Sequence, residues 1–127
     1  MAKTILIVDD EVHIRILMEQ TLEELEDDGV ELLTASNGLE ALDLIQTEKP
    51  DLVFLDVMMP KMNGFEVCQA VKADVATQDT YIIMLTAKGQ AFDQQQGHDV
   101  GANLYMTKPF DPDDVLEKAT TVLALHP

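Results

Sequence analysis

The chain of 127 residues contains one cysteine, Cys68, and one arginine, Arg15. A lone cysteine excludes an intramolecular disulfide and a thiolate metal site, and leaves Cys68 as a small buried hydrophobe. Only 8 lysines and arginines stand against 24 aspartates and glutamates, a formal charge of −16. A domain that grips a phosphate backbone needs a basic stripe, so no direct nucleic-acid binding is expected. No apolar run approaches the ~20 residues of a membrane span, and the N-terminus lacks a signal-peptide hydrophobic region. No membrane partner and a cytoplasmic location are the expectation. Low-complexity tracts, internal repeats and interdomain linkers are also missing. The length suits one domain over residues 1–127, long enough to hide about two thirds of its unfolded surface.

What is present is a β-α alternation. Five short apolar runs, Thr4–Val8, Glu31–Ala35, Leu52–Leu55, Ile82–Leu85 and Asn103–Met106, alternate with five helical patterns. The runs are continuously apolar, as suits strands buried on both faces of a parallel sheet. Between them apolar residues recur at helical spacing: Ile14, Leu17, Met18, Leu22 and Leu25; Phe65, Cys68 and Val71; Val115, Ala119, Val122 and Leu123. Gly29, Pro50, Gly64, Gly101 and Pro109 punctuate the junctions. Asp111 followed by Pro112, Asp113 and Asp114 predicts a helix start. Five such units specify an open doubly wound α/β sheet with right-handed crossovers, and are too few for an eight-stranded barrel.

In a parallel sheet all strands end at one edge, where such folds bind ligands. The first strand delivers Asp9 and Asp10 there, the third Asp56, the fourth Thr86, and the fifth leads into Thr107, Lys108 and Pro109. The second ends in Ala35-Ser36-Asn37 and brings no comparable charge. If the strand order is the flavodoxin-like 2-1-3-4-5, neighbours about 4.8 Å apart put the Asp9/Asp10 pair beside Asp56. Three carboxylates without Cys or nearby His describe a hard-cation site, best suited to Mg2+. Asp10 and Glu11 also stand where a following helix dipole favours negative charge, and capping alone is the plainer role for Glu11. With Lys108 reaching back over the site and a hydroxyl from Thr86, the set suits phosphoryl transfer to a carboxylate, with Asp56 as nucleophile.

VDDE at 8–11, LDVMMPKMNGFEV at 55–67, MLTA at 84–87 and GANLYMTKPF at 101–110 together resemble the receiver domain of bacterial two-component response regulators. The likeness covers nearly the whole chain, in order and at the family's spacing. It implies the strand order 2-1-3-4-5 with five helices. It also implies that Asp9 and Asp10 hold Mg2+ with Asp56 and the backbone carbonyl of Met58. By the same likeness Asp56 accepts the phosphoryl group, Thr86 and Lys108 bind and read it, and Tyr105 is the aromatic that switches. The donor it implies is a phosphohistidine of a histidine kinase or histidine phosphotransfer protein. The output is a changed surface for a downstream effector or an output domain, with a phosphorylation-dependent dimer through the fourth helix, fifth strand and fifth helix. Such a domain catalyses only its own modification and slow dephosphorylation.

Three rivals fare worse. An aspartyl-phosphate phosphatase of the haloacid-dehalogenase type wants a second acid two residues after the nucleophile, where this chain has Met58. A flavin-binding flavodoxin needs a hydroxyl- and glycine-rich phosphate loop after the first strand, and DDEVH is its electrostatic opposite. A pseudo-receiver that binds partners without phosphorylation has no need of the intact acids, Thr86 and Lys108. His13, His98 and His126 share no ligand spacing, Lys88 stands where a side chain could hinder or admit a hydrolytic water, and Gln94–His98 reads as a marginal fourth helix.

Overall fold

The computed structural model describes residues 3–87 and 100–124. Five parallel strands, β1 (Thr4–Val8), β2 (Glu31–Ala35), β3 (Leu52–Asp56), β4 (Tyr81–Ala87) and β5 (Leu104–Lys108), form one sheet in the order β2-β1-β3-β4-β5. Four α-helices stand among the described residues: α1 (Val12–Leu22), α2 (Gly38–Glu48), α3 (Gly64–Ala73) and α4 (Pro112–Val122). The helix α4 is the fifth helical pattern of the sequence. The expected fourth helix, with Lys88 and Gln94–His98, lies outside the described residues, as does His126.

The apolar runs are buried on both faces, as their continuity predicts. Alternate side chains divide between two layers. Ile5, Ile7, Phe54, Ile83 and Leu85 pack against Met18 and Leu22 of α1 and Val115 and Ala119 of α4. Leu6, Val8, Val53, Leu55, Ile82 and Met84 pack against Ala41 and Ile45 of α2 and Phe65, Cys68 and Val71 of α3. Each large side chain fully withdrawn from water contributes roughly 1.5–3 kcal/mol. Cys68 is fully buried among them.

Three strands run further than the apolar pattern. β3 takes in Asp56, β4 reaches Ala87, and β5 begins at Leu104 and runs to Lys108. Pairing of Asp56 with Leu85, Thr86 with Thr107 and Ala87 with Lys108 extends past the last apolar residue. The ladder bonds are main-chain, so a polar side chain does not end them. The first helical pattern, conversely, does not stay α-helical to Leu25: Glu23–Asp28 tightens into a 3-10 turn closed by Gly29 at φ 86. Acids crowd that end, where the dipole disfavours negative charge and no base offsets them.

Two glycines bring helices onto the site loop. A Cβ at Gly64 would strike the carbonyl of Asp56, and one at Gly38 would strike that of Met62. The Gly64 N–H donates to the Val57 carbonyl at 2.9 Å, and Asn63 and Glu66 close a reciprocal capping box at the start of α3. The loop after Asp56 is thereby fixed at both ends.

Candidate functional site

Asp9, the first residue after β1, is fully buried and held on every side. Its N–H donates to the Ala35 carbonyl at 3.2 Å, and its Oδ1 accepts from the Glu11 N–H at 3.0 Å. Oδ2 accepts from Lys108 Nζ at 2.7 Å. Asp56, at the end of β3, is 5 % exposed, and its Oδ1 accepts from the same ammonium at 3.0 Å. Asp10 is exposed, yet a carboxylate oxygen from each of Asp9, Asp10 and Asp56 lies within 4.8 Å of the others. Sequence reasoning expected this triad and the reach of Lys108.

The charge on Asp56 is poorly tolerated. Burial chiefly raises its pKa from 3.8 to about 6; the Lys108 hydrogen bond pulls it down, while Asp9 and Asp10 push it up. Burial also disfavours the charge on Lys108, but the hydrogen bonds to Asp9 and Asp56 outweigh it and lift its pKa above the usual lysine value.

Thr86 is 1 % exposed, and its hydroxyl oxygen has no hydrogen-bond partner among the described residues. An unmet buried hydroxyl costs roughly 1–3 kcal/mol, which suits a group awaiting a ligand. Tyr105 is half-buried on the same sheet face: it pairs with Met84, and Thr86 pairs with Thr107, so Tyr105 is the diagonal neighbour of Thr86. Met58 lies in the loop after β3 and is 71 % exposed. Pro109 follows Lys108 through a cis peptide bond.

Two expectations change. Glu11 occupies the N-cap position of α1 but makes no side-chain cap bond; the Asp9 carboxylate takes the Glu11 N–H instead. The Glu11 carboxylate lies 3.3 Å from the exposed His13 ring. Arg15, which composition singled out only by its rarity, donates from Nη1 to the Asp9 carbonyl at 2.6 Å. A lone cation on a helix reads as surface charge, and only its spacing of six from Asp9 hints otherwise.

The donor set fits a hard cation. An octahedral ion with oxygens at about 2.1 Å sets them roughly 3.0–4.2 Å apart, so a small inward movement suffices. All the donors are oxygen, and a divalent charge would offset the repulsion from Asp9 and Asp10 that adds to the effect of burial on Asp56.

A model of the response regulator receiver domain matches residues 5–120, and the chain belongs to that family. It is 46 % identical to PhoP of Bacillus subtilis, an alkaline phosphatase synthesis transcriptional regulatory protein, over 97 % of this chain and 49 % of that one. It is likewise 46 % identical to PhoB, the phosphate regulon transcriptional regulatory protein of Pseudomonas aeruginosa, over 95 % of this chain and 52 % of that one. The chain thus spans about half the length of these relatives. Among solved structures, the chemotaxis response regulator CheY4 of Vibrio cholerae superposes with a TM-score of 0.84 at 37 % identity, covering 96 % of this chain and 99 % of that one. A CheY-like receiver from Methanospirillum hungatei gives 0.85 at 31 %, covering 98 % and 95 %. Among the described residues no helix is long and apolar enough to cross a membrane.

Proposed function

We propose that Asp56 of this receiver accepts a phosphoryl group from a phosphohistidine of a sensor kinase or phosphotransfer protein. A carboxylate oxygen of Asp56 forms the new P–O bond as the P–N bond to imidazole breaks, and the departing imidazole nitrogen takes up a proton from solvent. The observation that carries this reading is the ammonium of Lys108, 3.0 Å from Asp56 and 2.7 Å from Asp9 within a cluster of three acids. Positioning and charge neutralisation are what phosphoryl transfer demands of a protein. Asp9, Asp10 and Asp56, with the Met58 carbonyl, would hold Mg2+, which supplies further positive charge to the phosphoryl oxygens when bound. Lys108 holds one phosphoryl oxygen, and the unpartnered Thr86 hydroxyl donates to another. The modified domain is a switch whose surface is read by an effector protein or an output domain; it turns over no external substrate beyond its own phosphoryl group.

Incubation with acetyl phosphate and Mg2+, followed by intact-mass measurement, tests this. One phosphoryl adduct is expected on the native chain and none on Asp56→Asn. Equal labelling of both would move the acceptor elsewhere.

A further inference from the structure

The only arginine of the chain is not spent on an acid. Among the described residues Arg15 makes no ion pair, although the chain carries 24 acids. Its half-buried side chain donates to the main-chain carbonyl of Asp9 instead. The donor is a guanidinium, so this is a charge-assisted bond, and at 2.6 Å a short one.

That carbonyl belongs to the peptide plane joining Asp9 to Asp10. A peptide is planar, so fixing the direction of its C=O fixes the N–H and the Cα of Asp10, the atom from which its side chain departs. The two acids differ in their need for this. Asp9 is tied through its own N–H and both carboxylate oxygens. Asp10 is exposed, and among the described residues no hydrogen bond or ion pair holds its carboxylate. Its approach to Asp9 and Asp56, which repel it, depends on the backbone beneath it.

We propose that Arg15 is a positioning residue for the cation site: it pins the Asp9–Asp10 peptide and so holds the untethered Asp10 carboxylate within reach of Asp9 and Asp56. The proposal rests on the reading of the acid cluster as a Mg2+ site. It carries a sign that separates it from a plain charge effect. A fixed cation near a metal site repels the metal, so by Coulomb's law alone the loss of Arg15 would tighten binding. Loss of positioning weakens it.

The test is a titration of the chain with magnesium chloride, followed through the amide resonances of residues 9–11 and 56–58. Native protein, Arg15→Met and Arg15→Lys are compared, each first melted in chelator to verify folding. The Arg15→Met protein is expected to bind Mg2+ about tenfold more weakly, the lower end for groups that orient metal ligands. Arg15→Lys, with an ammonium able to donate to the same carbonyl, recovers most of that loss. If Arg15→Met fails to fold, Arg15→Gln takes its place, with a weaker deficit expected from its neutral donor. Binding by either neutral variant as tight as native or tighter overturns the proposal, and so does an Arg15→Lys protein no better than Arg15→Met or Arg15→Gln. A native chain whose acid-cluster amides do not respond to Mg2+ overturns the metal reading itself, a result distinct from all of these.

Discussion

Asp56 shows how a single residue can make its own site unstable. Its pKa, lifted to about 6 chiefly by burial, means that the fold binds the neutral carboxyl better than the carboxylate. For a raised pKa the stabilising contribution is complete below the unfolded value of 3.8 and disappears as pH rises through about 6. Ionised Asp56 therefore weakens the metal-free domain at neutral pH. Asp56→Asn keeps an oxygen that can accept from Lys108 and removes the charge. In chelator it should be more stable than the native chain at pH 7.5, by about 1–2 kcal/mol once solvent screening is allowed for. The gain should vanish near pH 4. Urea unfolding of both proteins at the two pH values measures this, and a variant destabilised at pH 7.5 would contradict it.

Among the elements, α3 is tied at both ends. Its first residue lies against the Asp56 carbonyl, and near its last turn Lys72 Nζ donates to the carbonyls of Gln78 (3.1 Å) and Thr80 (2.6 Å) and to Asn103 Oδ1 (2.9 Å). Asn103 Oδ1 also accepts from the Ile82 N–H at 2.8 Å, so one ammonium gathers the starts of β4 and β5 onto the helix. Lys72→Met keeps the stem and strands these acceptors. It should cost about 1–3 kcal/mol in urea unfolding while leaving Mg2+ affinity unchanged. A loss within 0.5 kcal/mol would mean that water replaces the ammonium without penalty. Contacts of this kind are what the sequence conceals. Strand positions, the two buried faces, the Asp111 cap and the acids at one edge were legible, because periodicity and strand ends determine them. Lys72 and Arg15 were not, since each bonds backbone carbonyls six to eight residues away, outside any regular element's spacing, and carbonyls carry no residue-type signal. The outer ends of β4 and β5 and the 3-10 turn were missed for the related reason that main-chain pairing and end electrostatics, not apolar spacing, decide them.

Across the whole molecule, the question is how a change at Asp56 reaches a surface. A phosphoryl group adds negative charge and acceptor oxygens at the edge of β3, where the Lys108 ammonium already stands and the Thr86 hydroxyl lacks a partner among the described residues. Bonding to it would draw Thr86 toward β3 and open space beside its diagonal neighbour Tyr105, on the face that β4 and β5 share. Tyr105 is half-buried against that layer and can fill the space. On the opposite face α4 packs through Val115 and Ala119 with Met106 of the same strand, so a shift in β5 meets α4 directly. The expected fourth helix lies outside the described residues. Beryllofluoride, as a phosphoryl mimic, should therefore shift amides from the Asp56 pocket through β5 into α4. Those of α2, which packs on the far half of the sheet, should stay comparatively quiet. Thr86→Ala should still take up the mimic, since the acids and Lys108 remain, but pass less of the change to Tyr105. Shifts confined to the neighbourhood of Asp56, or a Thr86→Ala pattern equal to the native one, would refute this route and favour a passive phosphoryl carrier.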